Sequence, residues 1–314
     1  MRVGIDIGGM SIKIGLVDDS KQIVAKKVIP TQSDVLPAEG VIGNIADAVL
    51  ELLAENNLTI EQCESLGVAC PGTVDPRTGV VLYSNNIVWE NVPMLDILRE
   101  KISVPMFLAN DADAAALAEV IAGAAKDKEN AVLVTLGTGV GGGVIINGKI
   151  FAGPLRGGCE LGHTVIKHGG KLCSCGRKGC FETYASATAL MELARKIATA
   201  HPESMMNSMA GGEVDKIDGR IIFDAEKLGD EAAMAVVEQY EDDLSVGLAN
   251  IINIFRPEVV ILGGGVSAQE KYLTDALQEK VDGMCFGGSI GEVAKIVTSE
   301  LKNDAGIIGA AYLS

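Results

Sequence analysis

The 314-residue chain carries 26 Lys and Arg against 42 Asp and Glu, a formal net charge of −16. That balance argues against nucleic-acid binding, which calls for a basic face, and still allows a small anionic ligand held by backbone N–H groups. Hydrophobic residues make up 48%, yet no uninterrupted apolar run approaches the roughly 20 residues of a membrane span. The chain is also long enough for two lobes. Seven cysteines, odd in number and spread along the chain, fit a reducing compartment, and the N-terminus opens directly as a strand with no signal peptide. A cytoplasmic location is expected.

Residues 2–7 (RVGIDI) read as a buried strand. Gly8 and Gly9 turn the chain into a second strand, IKIGLVDD, and a polar turn at 18–20 leads into a third, QIVAKKVI. Asp6 ends the first strand beside the glycine turn. Uncovered N–H groups in such a turn can cradle a phosphate, and an adjacent carboxylate can hold Mg²⁺. A plain hairpin turn has the same appearance. Apolar spacing then predicts a helix over 38–57 and a strand at SLGVAC, 65–70. PGTVDPRTG reads as a loop. In YSNNIVWEN, Asn85 and Asn86 offer amides that suit a hydroxyl-rich ligand, or simply a turn. A short helix over 92–101 and a strand at VPMFLAN precede an Ala-rich helix that opens at Asn110-Asp111. A carboxylate at a strand's C-terminal edge lies where open α/β sheets bind ligands, although for a single Asp there capping the helix is the more ordinary role.

The opening pattern recurs at 130–153 (NAVLVTLGTGVGGGVIINGKIFAG), with Gly137, Thr138 and Gly139 in the first turn and an Asn147-Gly148 hairpin signal. Two such meanders predict an internally duplicated α/β protein, with a phosphate chain lying between the two glycine turns. No GxxxxGK[ST] occurs, so this is not a P-loop. Glu160 to Glu182 (ELGHTVIKHGGKLCSCGRKGCFE) gathers His163, Cys173, Cys175 and Cys180, a donor set suited to a four-coordinate structural Zn²⁺. A disulfide or three ordinary thiols is the alternative. A helix over 186–200, an exposed excursion over 202–219 and one long helical tract over 225–255 follow. PEVVILGGGVS (257–267) is a buried strand ending in Gly263, Gly264 and Gly265, which let backbone approach a ligand closely. The chain closes with a helix over 270–282, a strand near 294–297 and a helix over 304–313.

DIGG (6–9), LGTGVGGG (136–143), ELGH (160–163), CSCGRKGCFE (173–182) and LGGGVS (262–267) occur in that order. Together they resemble, over essentially the whole chain, the ROK family of sugar kinases and transcription factors. The resemblance implies an α/β fold of actin-like, hexokinase type: two lobes with internally duplicated mixed sheets and the active site in the cleft between them. The small lobe would be 1–111, with the C-terminal helix, about 300–314, packing back on it. The large lobe would be 112–299 and carry the zinc loop.

Residue by residue, the resemblance implies that Asp6, Gly8, Gly9 and Lys13 serve the first phosphate loop and Gly137, Thr138 and Gly139 the second. Gly263, Gly264 and Gly265 match the adenosine-side loop. Asp111 matches the catalytic base; Gly72, Asn86, Asn110, Glu160, His163 and Glu182 match sugar contacts. His163, Cys173, Cys175 and Cys180 match zinc ligands, His163 serving both metal and sugar. The implied activity is ATP-dependent, Mg²⁺-assisted phosphorylation of a hexose 6-hydroxyl, glucose first, by a homodimer with no nucleic-acid or membrane partner. N-acetylmannosamine, fructose and allose kinases are the alternatives. A sugar-responsive regulator is disfavoured, because the first strand begins at residue 2 and no helix-turn-helix precedes it. Two positions depart from the family pattern. Met10 and Ser11 stand where the first turn usually continues with Thr, which raises the reading of a sugar-binding protein with impaired catalysis. Asp113 stands where Asn is more usual.

Overall fold

The computed structural model describes residues 1–154, 157–288 and 290–313. The chain divides into two compact units, residues 1–133, 143–159 and 300–314, and residues 134–142 and 160–299.

The first unit opens with an antiparallel meander, β1 (Arg2–Ile7), β2 (Ser11–Val17) and β3 (Ile23–Pro30). Alternate side chains, Val3, Ile5 and Ile7 on β1 and Ile12, Ile14 and Leu16 on β2, are fully buried and pack with the apolar stripe of α1 (Ala38–Glu55). β4 (Ser65–Cys70) runs parallel to β1. The segment 71–92, read from sequence as loops, instead forms a small antiparallel sheet of β5 (Thr73–Asp75), β6 (Val80–Ser84) and β7 (Trp89–Val92). Its strands are only three to five residues long, and the Pro and Gly between them hide the alternation. α2 (Met94–Arg99) leads to β8 (Met106–Asn110), which is parallel to β4, and directly into α3 (Asp111–Ala122).

β9 (Ala131–Leu136), β10 (Val140–Ile146) and β11 (Lys149–Ile150) form the second meander. In the second unit α4 (Glu182–Ala185) and α5 (Ala187–Ala200) follow the cysteine-rich stretch. The stretch read as an excursion contains a short helix, α6 (Met205–Met209). The tract read as one helix is two, α7 (Gly219–Lys227) and α8 (Glu231–Phe255). Gly229 sits at φ +85° and the Asp230 side chain caps α8 by accepting from Ala233 N–H, so a stop and a start fall within three residues. β12 (Val259–Gly263), α9 (Lys271–Met284), β13 (Lys295–Thr298) and α10 (Ala305–Ala311) complete the chain. The two five-stranded sheets have orders β3-β2-β1-β4-β8 and β11-β10-β9-β12-β13. Each sets a three-strand meander beside two later strands, which is the duplication expected from the repeated pattern.

α10 comes close against the first sheet where glycines leave that face without side chains. A Cβ on Gly67 of β4 would stand 1.8 Å from the Ala310 carbonyl oxygen, and one on Gly309 would stand 1.8 Å from that of Ala114 in α3. α3 packs with α10, and residues 112–133 belong to the first unit, beyond the boundary drawn at residue 111 from sequence; Ser314 lies outside the described residues. No helix among the described residues is long and apolar enough to cross a membrane.

Replacing Gly67 with Ala forces backbone apart and is expected to cost about 3 kcal/mol in urea unfolding. A loss below about 0.5 kcal/mol, the range of an ordinary surface change, would show that α10 shifts freely.

Candidate functional site

In the first unit, strand register assembles the acidic end of the site. β1, β4 and β8 are parallel, with Asp6 opposite Ala69 and Cys70 opposite Asn110, so Asp6 and Asn110-Asp111 fall at the carboxyl edge where open α/β sheets bind ligands. Lys13 faces Asp6 across the β1–β2 pair, and its Nζ lies 3.0 Å from the Asp6 carboxylate. Gly8 and Gly9 form the adjoining turn, closed by Gly8 N–H donating to Ser11 C=O at 3.0 Å. Met10 is 91% exposed, and Ser11 already belongs to β2.

Asn110, rather than Asp111, caps α3. Its side-chain oxygen accepts from Ala112 N–H at 2.8 Å and Asp113 N–H at 3.3 Å, while its Nδ2 donates to the Gly72 carbonyl at 2.9 Å. Asn110 thereby relieves Asp111 of capping; Ala112 N–H reaches the Asp111 carboxylate at 2.9 Å, and the Asn110 side chain also bonds to it. Burial pushes the Asp111 carboxyl up from its ordinary value, the Ala112 amide opposes this, and the charge of Asp6 adds to the rise. Asn86 is exposed on the turn between β6 and β7.

In the second unit, Cys173, Cys175, Cys180 and His163 bring their donor atoms within 4.8 Å of one another. Cys173 Sγ lies 3.6 Å from His163 Nδ1, and Cys175 Sγ 3.6 Å from Cys180 Sγ. Tetrahedral bonds of about 2.3 Å to sulfur and 2.0 Å to nitrogen put neighbouring donors about 3.6–3.8 Å apart, so the cluster fits a metal of that preference. The Arg177 backbone amide lowers the exposed Cys175 thiol to about 7, whereas burial raises Cys180. The loop is braced locally: Cys173 N–H donates to Arg177 C=O at 2.8 Å, Arg177 donates to the His163 carbonyl, and bridges join Val165 to Cys180 and Leu172 to Lys178. Sequence reasoning overlooked Tyr184, whose hydroxyl accepts Lys171 N–H at 2.7 Å and whose ring lies under the ammonium groups of Lys167 and Lys171.

The same unit ties this loop to the second glycine turn. Glu182 Oε2 accepts Val140 N–H at 3.0 Å, and Oε1 lies 3.9 Å from Cys173 Sγ. A Cβ on Gly139 would stand 2.2 Å from Glu182 Oε2, so only Gly allows that approach. The Gly137 carbonyl accepts Ala187 N–H at 2.9 Å, and the Thr138 carbonyl accepts the Thr188 hydroxyl at 2.9 Å. Gly264, at φ +82°, passes against the Leu136 carbonyl, which brings the Gly263–Gly265 run beside the strand that precedes the turn. Glu160 is exposed just before the 3₁₀ turn that carries His163.

Duplicated mixed sheets, paired glycine turns and a Cys₃His cluster define a class. The ROK family model matches residues 2–314, and the chain belongs to that family. It is 37% identical over 312 residues to a glucokinase of Thermotoga maritima, covering 99% of this chain and 96% of that one. It superposes with TM-score 0.81, at 33% identity, on a ROK family glucokinase of Streptomyces griseus solved with glucose and AMPPNP, covering 100% and 98% of the two chains. A ROK transcriptional regulator described as a homologue of E. coli MLC matches with TM-score 0.85 at 26% identity, over 98% of this chain and 76% of that one. The fold is the one the sequence motifs imply.

Purified protein is expected to hold one tightly bound metal ion per Cys₃His cluster. Cys175→Ser should lose most of it by elemental analysis, and the melting temperature should fall. Full metal content in that variant would remove Cys175 from the ligand set.

Proposed function

We propose that the protein is an ATP-dependent hexose kinase that transfers a phosphoryl group to the 6-hydroxyl of glucose. The observation that carries the reading is Asp111: a half-buried carboxylate at the carboxyl edge of a parallel sheet, relieved of capping by Asn110 and raised in proton affinity by desolvation. The glucokinases among its relatives support the choice of glucose. Phosphoryl transfer passes through a loose transition state, so positioning and charge neutralisation carry most of the catalysis. Asp111 accepts the proton of the attacking hydroxyl, a role that favours a carboxylate of raised pKa.

The turn at Gly8 and Gly9 and the turn at Gly137, Thr138 and Gly139 serve phosphate oxygens through the backbone N–H groups that are not bonded within the turns. Gly263, Gly264 and Gly265 give the adenosine a flat backbone surface, and Lys13 adds positive charge beside Asp6. Gly72, Asn86, Asn110, Glu160, His163 and Glu182 hold sugar hydroxyls. Asp6 would hold Mg²⁺, which neutralises charge on the phosphate chain when bound. The Cys₃His donors suit Zn²⁺, and four protein ligands leave no open position for catalysis, so its part is structural. With His163 Nδ1 facing Cys173 Sγ, Nε2 is left for a sugar hydroxyl.

A coupled ADP-release assay over glucose, N-acetylmannosamine, fructose and allose is expected to give the highest kcat/KM with glucose. No turnover with any of them would end the kinase reading, and preference for N-acetylmannosamine would change the substrate. Asp111→Asn should cut kcat by about 10²–10⁴-fold while glucose binding persists. The folded state binds the Asp111 proton more tightly than the unfolded chain does, so stability from this group falls as pH rises from 3.8 through the raised value. The neutral Asn removes that loss, and the variant should melt no lower than the parent at pH 7. The acid limb of kcat/KM should stand above the ordinary 3.8 of an aspartate; a limb at that value would take Asp111 out of the base role.

A further inference from the structure

We propose that Thr31 is a positioning residue for the first phosphate turn, and that it thereby sets the affinity of the protein for the phosphate chain of a nucleotide. The inference rests on the kinase reading above. Thr31 follows β3 directly and is 1% exposed. Its hydroxyl donates to the Gly8 carbonyl at 2.6 Å, and its own N–H donates to the Met10 carbonyl at 3.1 Å. Both ends of the Gly8–Met10 segment are therefore held from one buried residue.

The turn has little else to hold it. Two of its three residues are glycine, and the third, Met10, is 91% exposed and turned to solvent, so its side chain anchors nothing. Among the described residues, the Thr31 hydroxyl makes the only side-chain hydrogen bond that reaches the turn. The direction of the bonds gives the consequence. In a trans peptide the C=O and the next N–H point opposite ways, and no cis peptide occurs among the described residues. With the Gly8 and Met10 carbonyls turned toward Thr31, the N–H groups of Gly9 and Ser11 face the other side. Those are the donors a phosphate would use. Free glycine backbone would otherwise lose much of this order to conformational entropy. The preorganisation therefore depends on a residue 21 positions beyond Met10.

The test compares Thr31→Val, which keeps the shape and removes the hydroxyl, with Thr31→Ser, which keeps the hydroxyl. One lost hydrogen bond of this kind corresponds to a rise in the KM for ATP of roughly three- to tenfold. The expected result is that rise in Thr31→Val, with the KM for glucose and the melting temperature close to the parent's, and restoration in Thr31→Ser. Amide hydrogen exchange of a peptide covering residues 7–11 should speed up in Thr31→Val and slow again in Thr31→Ser. Should the Val variant fail to fold, Thr31→Ala takes its place. Equal rises in both KM values, no rise in either, or no restoration by Ser would overturn the proposal. If the parent turns over no sugar with ATP, the kinase reading fails instead. The exchange result then decides alone, and unchanged exchange at 7–11 would overturn the role of Thr31.

Discussion

One oxygen of Glu182 accepts the Val140 amide directly after the Gly137–Gly139 turn, and the other faces Cys173 of the Cys₃His cluster. A charge-assisted bond of this kind is worth about 1.5–3 kcal/mol. It makes one side chain answerable to two structures, the cysteine-rich loop on one side and the Gly137–Gly139 turn on the other. α5 completes the arrangement, since Ala187 and Thr188 at its start hold the Gly137 and Thr138 carbonyls. The geometry of the glycine turn in this unit is thus set by the segment that leaves the cysteine loop. A metal that fixes the loop also fixes Glu182, and through it the backbone donors.

The first unit solves the matching problem differently. There the glycine turn lies between β1 and β2, and strand register sets Asp6 and Lys13 directly across the pair from each other. No metal cluster stands nearby among the described residues. The turn is held from behind by Thr31, and Asp111 arrives at the same sheet edge because β8 passes into α3 without a loop. A duplicated sheet order thus carries two unlike ways of steadying a glycine turn.

Much of this was legible in the sequence where the signal is local. The Cys₃His set could be read because three cysteines fall within eight residues, and the glycine turns because Gly supplies backbone freedom that other residues lack. β5, β6 and β7 were not, since strands of three to five residues between Pro and Gly give no alternation to count. The break at Gly229-Asp230 was present as a stop and a cap and was overridden by the apolar spacing around it. Thr31 on Gly8, Gly67 under Ala310 and Glu182 on Val140 depend on pairing of distant segments, which no window of sequence contains. The capping of α3 by Asn110, leaving Asp111 free, needed coordinates to separate two adjacent residues of similar capping propensity.

The central claim is that the metal loop shapes a sugar-binding surface rather than merely stabilising its unit. Calorimetric titration of glucose into protein stripped with a chelator, and again after Zn²⁺ is restored, tests it most directly. Binding should weaken at least about tenfold on stripping, a loss of about 1.4 kcal/mol, and return with the metal. A stripped protein that stays folded and binds glucose with unchanged affinity would contradict the account.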